Sequence, residues 1–252
     1  ALPDGSEVGI YALKGIIEDN VFSVTERTEE GYMWHEDNIQ MNFTNAKYKA
    51  ETYTHITNQK TYHQLVPAAG TTTGKFPTNG ALRFYAYYPY SADVVVGKDA
   101  MGTNKPLTPD IDVRIGNSIE ETEDYMYTGA IDVPATQNEP VDLRFKHALG
   151  RLNIYVHTTK TYRTYPKIEK IYIDTYCSQE GKMNLTTGKI TCGDEGYYYF
   201  SKDFKNNNYT IKKKTDNMMP IYCNMFIPDN EDQKIFLHEI ILYIKDEENQ
   251  VY

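Results

Sequence analysis

The hydrophobic pattern of this chain has a period of two residues over most of its length. The segment 81–89 shows it most clearly, because one set of alternate positions is apolar. That set comprises Leu82, Phe84, Ala86 and Tyr88, and the intervening positions hold Arg83, Tyr85 and Tyr87. Such alternation places one side of a β-strand in a core. Pro89 has no amide hydrogen for a strand ladder, so the strand is predicted to end before it.

The same alternation recurs along the second half of the chain, and turn residues separate the runs. The further predicted strands lie within 152–156, 170–174, 221–227 and 239–244. A Thr186-Thr187-Gly188 turn joins two short apolar runs and predicts a hairpin over 183–192. We therefore predict a nearly all-β chain of the kind found in β-sandwiches, with long loops near 18–40, 97–124 and 193–220.

A domain boundary is predicted near residues 140–150. The polar segment 134–140 holds two prolines, and the strand pattern restarts at Leu149. This divides the chain into 1–146 and 147–252, and each part is long enough to bury a sandwich core of its own.

Charge and hydropathy remove two classes of function. The 252 residues include 26 Lys and Arg against 35 Asp and Glu, so the net charge is −9. An acidic chain is a poor partner for nucleic acid, whose phosphates attract clustered cations. No apolar run approaches the roughly 20 residues of a membrane-spanning helix. Tyrosine is abundant, at 23 residues, and suits half-buried strand faces and contact surfaces.

No catalytic, cofactor or metal motif is complete. The segment 69–76 resembles a phosphate-binding loop but lacks its first Gly and the Ser or Thr after Lys75. His238-Glu239 has no second His four positions on, and no Gly-x-Ser-x-Gly elbow occurs. The acidic runs fit solvated loops better than a glycosidase pair. We therefore expect no enzyme, no cofactor and no metal site.

The three cysteines leave two interpretations open. Cys177 and Cys192 flank the predicted hairpin and would form a disulfide across strands if the chain is exported. Alternatively, all three, including Cys223, pack as small apolar side chains.

Four segments together carry a family resemblance. Residues 5–12 (GSEVGIYA) resemble the opening strand of fimbrillin-like (Mfa-like) proteins, which form type V pili of Bacteroides-type bacteria. The other three segments are 82–90 (LRFYAYYPY), 124–127 with 141–152 (DYMY and VDLRFKHALGRL), and 181–188 (GKMNLTTG). Their order and spacing agree with the family over most of the chain.

The resemblance implies two tandem transthyretin-like β-sandwich domains. It further implies export as a lipoprotein to the cell surface, and polymerisation into a pilus attached to the outer membrane. In this family an N-terminal strand is removed and a strand of the next subunit fills the groove. The expected partners are therefore other pilus subunits, with a host or bacterial surface protein or glycan as the adhesion target.

The resemblance also places a strand-exchange edge near the start of the chain. The chain begins just before the strand at Val8 to Leu13, so we expect it to represent the processed form or a trimmed version of it. The candidate residues for strand exchange are Val8, Ile10 and Tyr11. No catalytic role is implied for any residue.

Two other functions remain open. A carbohydrate-binding surface module would use exposed aromatic rings, and the candidates for glycan contact are Trp34, Tyr85 and Tyr87. Cross-strand packing on a solvent face is the alternative role of those tyrosines. A hydrolase on an all-β scaffold is the third candidate, because fold alone does not determine function.

Overall fold

A computed structural model describes most of the chain and contains no helix in that part. The described residues are 2–24, 41–54, 56–57, 59–71, 76–92, 110–137, 140–162, 164–204, 209–215, 218–228 and 236–245. The strands of the first half are β1 (Glu7–Glu18), β2 (Val21–Val24), β3 (Met41–Thr54), β4 (Thr61–Pro67), β5 (Ala81–Tyr88), β6 (Asp110–Arg114), β7 (Met126–Tyr127) and β8 (Ile131–Pro134). Those of the second half are β9 (Lys146–His147), β10 (Gly150–Ile154), β11 (Lys167–Ser178), β12 (Glu180–Asn184), β13 (Ile190–Cys192), β14 (Glu195–Asp203), β15 (Tyr209–Thr210), β16 (Tyr222–Phe226) and β17 (Phe236–Lys245). The all-β prediction is confirmed.

The chain divides into two compact units, each built from separate segments. Unit 1 comprises Ala1–Asp112, Asp124–Ala148 and Lys182–Lys189. Unit 2 comprises Val113–Glu123, Leu149–Gly181 and Ile190–Tyr252. The division of the chain into two domains at residues 146 and 147 stays a prediction. Strands β13, β12 and β6 form a three-stranded sheet in that order, with the predicted hairpin as its β12–β13 part.

Unit 1 is built on a sheet of order β4-β3-β1-β5-β7-β9, with β2 also paired to β1 and β8 to β5. The predicted apolar side of β5 does form the core, since Leu82, Phe84 and Ala86 are at most 5% exposed. The buried cluster of this core consists of Val8, Ile10, Ala12, Phe43, Ala46, Leu82, Phe84, Ala86 and Val133. Strand β5 ends at Tyr88, before Pro89, as predicted.

Unit 2 has two sheets whose side chains meet in its core. One sheet has the order β14-β11-β15, with β17 also paired to β11, and the other pairs β10 with β16. Phe200 on β14 meets Phe226 on β16 at a ring separation of 5.2 Å, edge to face. On β11, Ile173 pairs with Phe200 and is completely buried, as is Ile171 two positions before it. Two facing antiparallel sheets are the arrangement of a β-sandwich.

Regular strands lie inside all three segments that the sequence predicts to be long loops. β2 lies in the first, β6 in the second, and β14 and β15 in the third. These strands are paired in sheets, and tertiary pairing therefore orders residues that carry little periodic signal of their own. No helix in the described residues is long and apolar enough to cross a membrane.

Candidate functional site

The predicted strand-exchange residues lie on an interior strand of unit 1. β1 pairs with β3 along Glu7 to Leu13 and with β5 along Gly9 to Gly15. Val8, Ile10 and Tyr11 are 0, 5 and 1% exposed. A strand with a neighbour on each side offers no unpaired backbone, so these three residues do not form a sheet edge here.

Tyr87 is buried by its partners on β1 and in the loop after β5. Its ring stacks on Tyr11 at 6.3 Å and lies over Gly9, where a Cβ atom would overlap it. The hydroxyl donates to Asn45 Oδ1 at 2.8 Å or to the Ser91 carbonyl at 3.0 Å. Burial raises the pKa of Tyr87 to about 12. With no exposed surface, the ring offers no face to a sugar in this fold.

Of the other two residues predicted to contact a glycan, the structure describes Tyr85 but not Trp34. Tyr85 is half-buried and packs against the small cluster of Leu13, Phe22 and Ala81. Burial raises its pKa, which the neighbouring guanidinium of Arg83 partly counters. Trp34 lies outside the described residues. In the described part of unit 1, Tyr85 and Tyr87 therefore do not form an exposed aromatic surface for a glycan.

An extended ribbon, residues 140–145, borders the core of unit 1. Val141, Leu143 and Phe145 are partly buried and pack against the core cluster. Between them, Asp142 and Arg144 point outward with side chains 67 and 85% exposed, and they bond to each other at 2.8 Å. Burial alternates along the ribbon, but the ribbon belongs to no strand of the described chain.

An aromatic surface lies on unit 2, and the sequence interpretation did not select its residues. We define it as Tyr176, Tyr197, Tyr199, Phe236 and His238, whose rings are on β11, β14 and β17. The first four are 41, 61, 69 and 57% exposed. The sequence does show Tyr197 and Tyr199 at alternate positions, which places them on the same side of a strand. Which residues of other strands lie beside them depends on the sheet register, which the sequence alone does not give.

The cysteines are free thiols in this structure. Cys177 is buried, while Cys192 and Cys223 are partly exposed. Burial raises the pKa of the Cys177 thiol to about 11, so it is protonated at neutral pH. Among the described residues, no group of three or more His, Cys, Asp or Glu side chains is placed to hold a metal ion.

Comparison with known proteins identifies the family. The model of the fimbrillin-like family matches residues 24–251. This chain belongs to the fimbrillin-like family. The match extends over parts of both units and includes three of the four sequence segments that carry the resemblance, whereas segment 5–12 lies before it.

A solved structure resembles this fimbrillin-like chain in fold. A protein from Bacteroides uniformis assigned to cell adhesion matches with a TM-score of 0.53 and 16% identity, over 100% of this chain and 78% of that one. Another such protein, from Bacteroides ovatus, matches with a TM-score of 0.49 and 15% identity, over 100% and 76% of the two chains. No curated protein matches the sequence.

Proposed function

We propose that this fimbrillin-like chain is a non-catalytic subunit of an exported surface pilus, which polymerises by strand addition and supports adhesion. Membership of the fimbrillin-like family supports the proposal. The observation that carries it is the ribbon 140–145, whose apolar side chains contact the core while its backbone lies outside the strands of the described chain. Other pilus subunits are the partners, at a cell surface where the pilus is attached to the outer membrane.

A strand added beside the ribbon supplies two things at once. Its backbone pairs with residues 140–145, and its own apolar side chains cover Val141, Leu143 and Phe145, which are only partly buried. Fully burying each such side chain contributes about 1.5–3 kcal/mol relative to exposure. Strand addition to an open sandwich is stabilised by both the backbone hydrogen bonds and the buried apolar contacts. Head-to-tail addition that does not close produces a filament.

Strand β4, at one end of the unit 1 sheet, is a weaker acceptor. It pairs with β3 along Tyr48 to Thr54. Its residues Thr61 to Gln64 are exposed and largely polar. An added strand would gain backbone hydrogen bonds there but few apolar contacts, so the ribbon is the better site.

The test places the same new residue on opposite sides of the ribbon. In the full-length protein expressed in its native host, we expect Leu143→Glu to abolish detergent-resistant oligomers, because a charge would face the added strand and the core. Arg144→Glu is the matched control and should polymerise normally, since that side chain is 85% exposed. Oligomers are measured by gel electrophoresis without heating, and surface filaments by electron microscopy.

Folding is checked separately by circular dichroism of the purified monomers. If Leu143→Glu lowers the melting temperature, Leu143→Ala replaces it as the milder change, with a partial loss of oligomers expected. A folded Leu143→Glu monomer that still polymerises like the wild type would exclude the ribbon as acceptor. A wild-type protein that never forms oligomers in its host would exclude polymerisation itself.

A further inference from the structure

The aromatic surface of unit 2 is organised by the register of three strands. Tyr176 on β11 lies opposite Tyr197 on β14 and Phe236 on β17. In the adjacent row, Asp174 lies between Tyr199 and Glu239. The side chains of these two rows lie on the side of β11 opposite the completely buried Ile173 and Thr175. Three strands thus place four aromatic rings and two carboxylates, those of Asp174 and Glu239, on one side of the sheet.

A bulge in β17 adds an imidazole to this surface. Leu237 pairs with Thr175 and Glu239 with Asp174, so His238 is the extra residue between them. His238 Nδ1 lies 3.1 Å from Asp174 Oδ2, and the ring meets Tyr197 edge-on at 5.9 Å. With Nδ1 donating to the carboxylate, Nε2 of the neutral ring is an acceptor. The His238 side chain is 64% exposed, so that acceptor is accessible from solvent.

The carboxylate of Asp174 is largely buried and contacts His238. The Asp174 side chain is 15% exposed, and Oδ1 is buried without a hydrogen-bond partner among the described residues. A buried acceptor of this kind is uncommon in folded proteins. Asp174 therefore orients His238 and does not itself present a charge to solvent.

The cavity on this surface has the size and lining of a small ligand site. It has a volume of about 370 Å³ and is lined by Tyr176, Tyr197, Phe236, Leu237 and His238. This lies within the range of roughly 300–1,000 Å³ that is usual for ligand sites. The two register rows at Tyr176 and Asp174 contain no Lys or Arg, so an anionic ligand has no counter-charge there.

We propose that the aromatic surface binds a neutral carbohydrate, with one pyranose ring in this cavity. The C–H face of a sugar ring packs on tyrosine rings, while its hydroxyls bond to tyrosine hydroxyls and His238 Nε2. A lysine or arginine of a protein partner fits less well. The cavity lining contains no carboxylate: Asp174 is bound to His238, and the exposed Glu239 lies in the adjacent row outside the lining. A cation in the cavity would therefore lose its hydration without direct pairing.

The experiment uses the purified chain on an array of neutral hexose and N-acetylhexosamine oligosaccharides, sialylated oligosaccharides and an arginine-rich peptide. The best neutral oligosaccharide is then titrated by calorimetry. Tyr197→Ala is expected to weaken binding at least roughly tenfold, because it removes the exposed ring that contacts both Tyr176 and His238. Tyr197→Phe keeps the ring and should lose less. Tyr155→Ala is the matched control, since Tyr155 is 51% exposed in the same unit but outside the surface.

Salt separates the two ligand classes. Binding of a neutral sugar should be unchanged between about 0.05 and 0.5 M salt, whereas binding of a cationic peptide should weaken. The proposal is wrong if no neutral oligosaccharide binds, if Tyr197→Ala binds like the wild type, or if the peptide or the sialylated sugars alone bind. Polymerisation is not involved, because the assay uses the monomer and the variants lie outside residues 140–145.

Discussion

Gly188 shows how a single residue determines a turn in unit 1. It follows Thr186 and Thr187, whose amides both donate to Asn184 Oδ1, at 3.1 and 3.0 Å. The Gly188 amide donates to the Asn184 carbonyl at 2.7 Å, with φ at +71°. A Cβ atom at this position would overlap the ring of Tyr127. The turn therefore needs glycine both for its backbone conformation and for the space that Tyr127 occupies.

We expect Gly188→Ala to destabilise the protein by about 2–3 kcal/mol, from a positive-φ penalty of about 1 kcal/mol and the displacement of Tyr127. Gly70→Ala is the control, because Gly70 has φ +80° with no atom within 4 Å of an added Cβ. It should cost only the backbone penalty, about 1 kcal/mol. Urea unfolding measures both, and equal losses would show that Tyr127 moves away freely.

At the scale of elements, Asn224 fixes a loop of unit 2 to strand β16. Asn224 is completely buried, and its Nδ2 donates to the Gly116 carbonyl at 3.3 Å. Its Oδ1 accepts from Thr122 Oγ1 at 3.3 Å. Thr122 Oγ1 in turn accepts from the Gly116 amide at 2.9 Å and is also 2.9 Å from the Ser118 carbonyl. One amide side chain therefore satisfies polar groups from both ends of the segment 116–122.

We expect Asn224→Leu to lower the free energy of unfolding by about 1–3 kcal/mol, because the polar groups of Gly116 and Thr122 lose a buried partner. Asn153→Leu is the matched control on the adjacent strand, where Asn153 pairs in register with Cys223 and is exposed. It should change stability by less than about 0.5 kcal/mol. Chemical unfolding followed by fluorescence measures both variants, and similar losses would mean that the buried amide has no special role.

The period of the hydrophobic pattern predicts where strands lie better than it predicts which of their sides are buried. It places β5 and one apolar side of it correctly, since alternate residues of one short element determine that pattern. It also places β17, but Ile240 and Ile241, on opposite sides of this strand, are 42 and 40% exposed. Whether an apolar side is covered depends on what packs against that face of the sheet, which a local pattern does not specify.

At the scale of the whole molecule, buried tyrosines make the free energy of unfolding depend on pH in the alkaline range. Burial raises the pKa of Tyr87, in unit 1, and of Tyr222, in unit 2, to about 12. An unfolded tyrosine ionises near pH 10. The unfolded chain therefore loses these protons first, and the stability of the folded state is complete below about pH 10 and falls as the pH rises through about 12.

We expect each of these tyrosines to reduce stability by about 1.4 kcal/mol per pH unit within that window. Urea unfolding at several pH values between 8 and 12 measures the slope. Tyr222→Phe should reduce the slope of the transition that reports unit 2, although it also loses a hydroxyl contact with Asn224. A Tyr222→Phe variant with an unchanged slope would show that this residue is not the one that titrates.

The sequence by itself determined the all-β class, the hairpin at Gly188 and the family, because each depends on local alternation, turn residues or short segments. The tertiary structure decided that Val8, Ile10 and Tyr11 lie inside a sheet, since burial and strand neighbours depend on residues distant in the chain. It also assembled the aromatic surface, because Tyr176, Tyr197 and Phe236 meet only through the register of three strands.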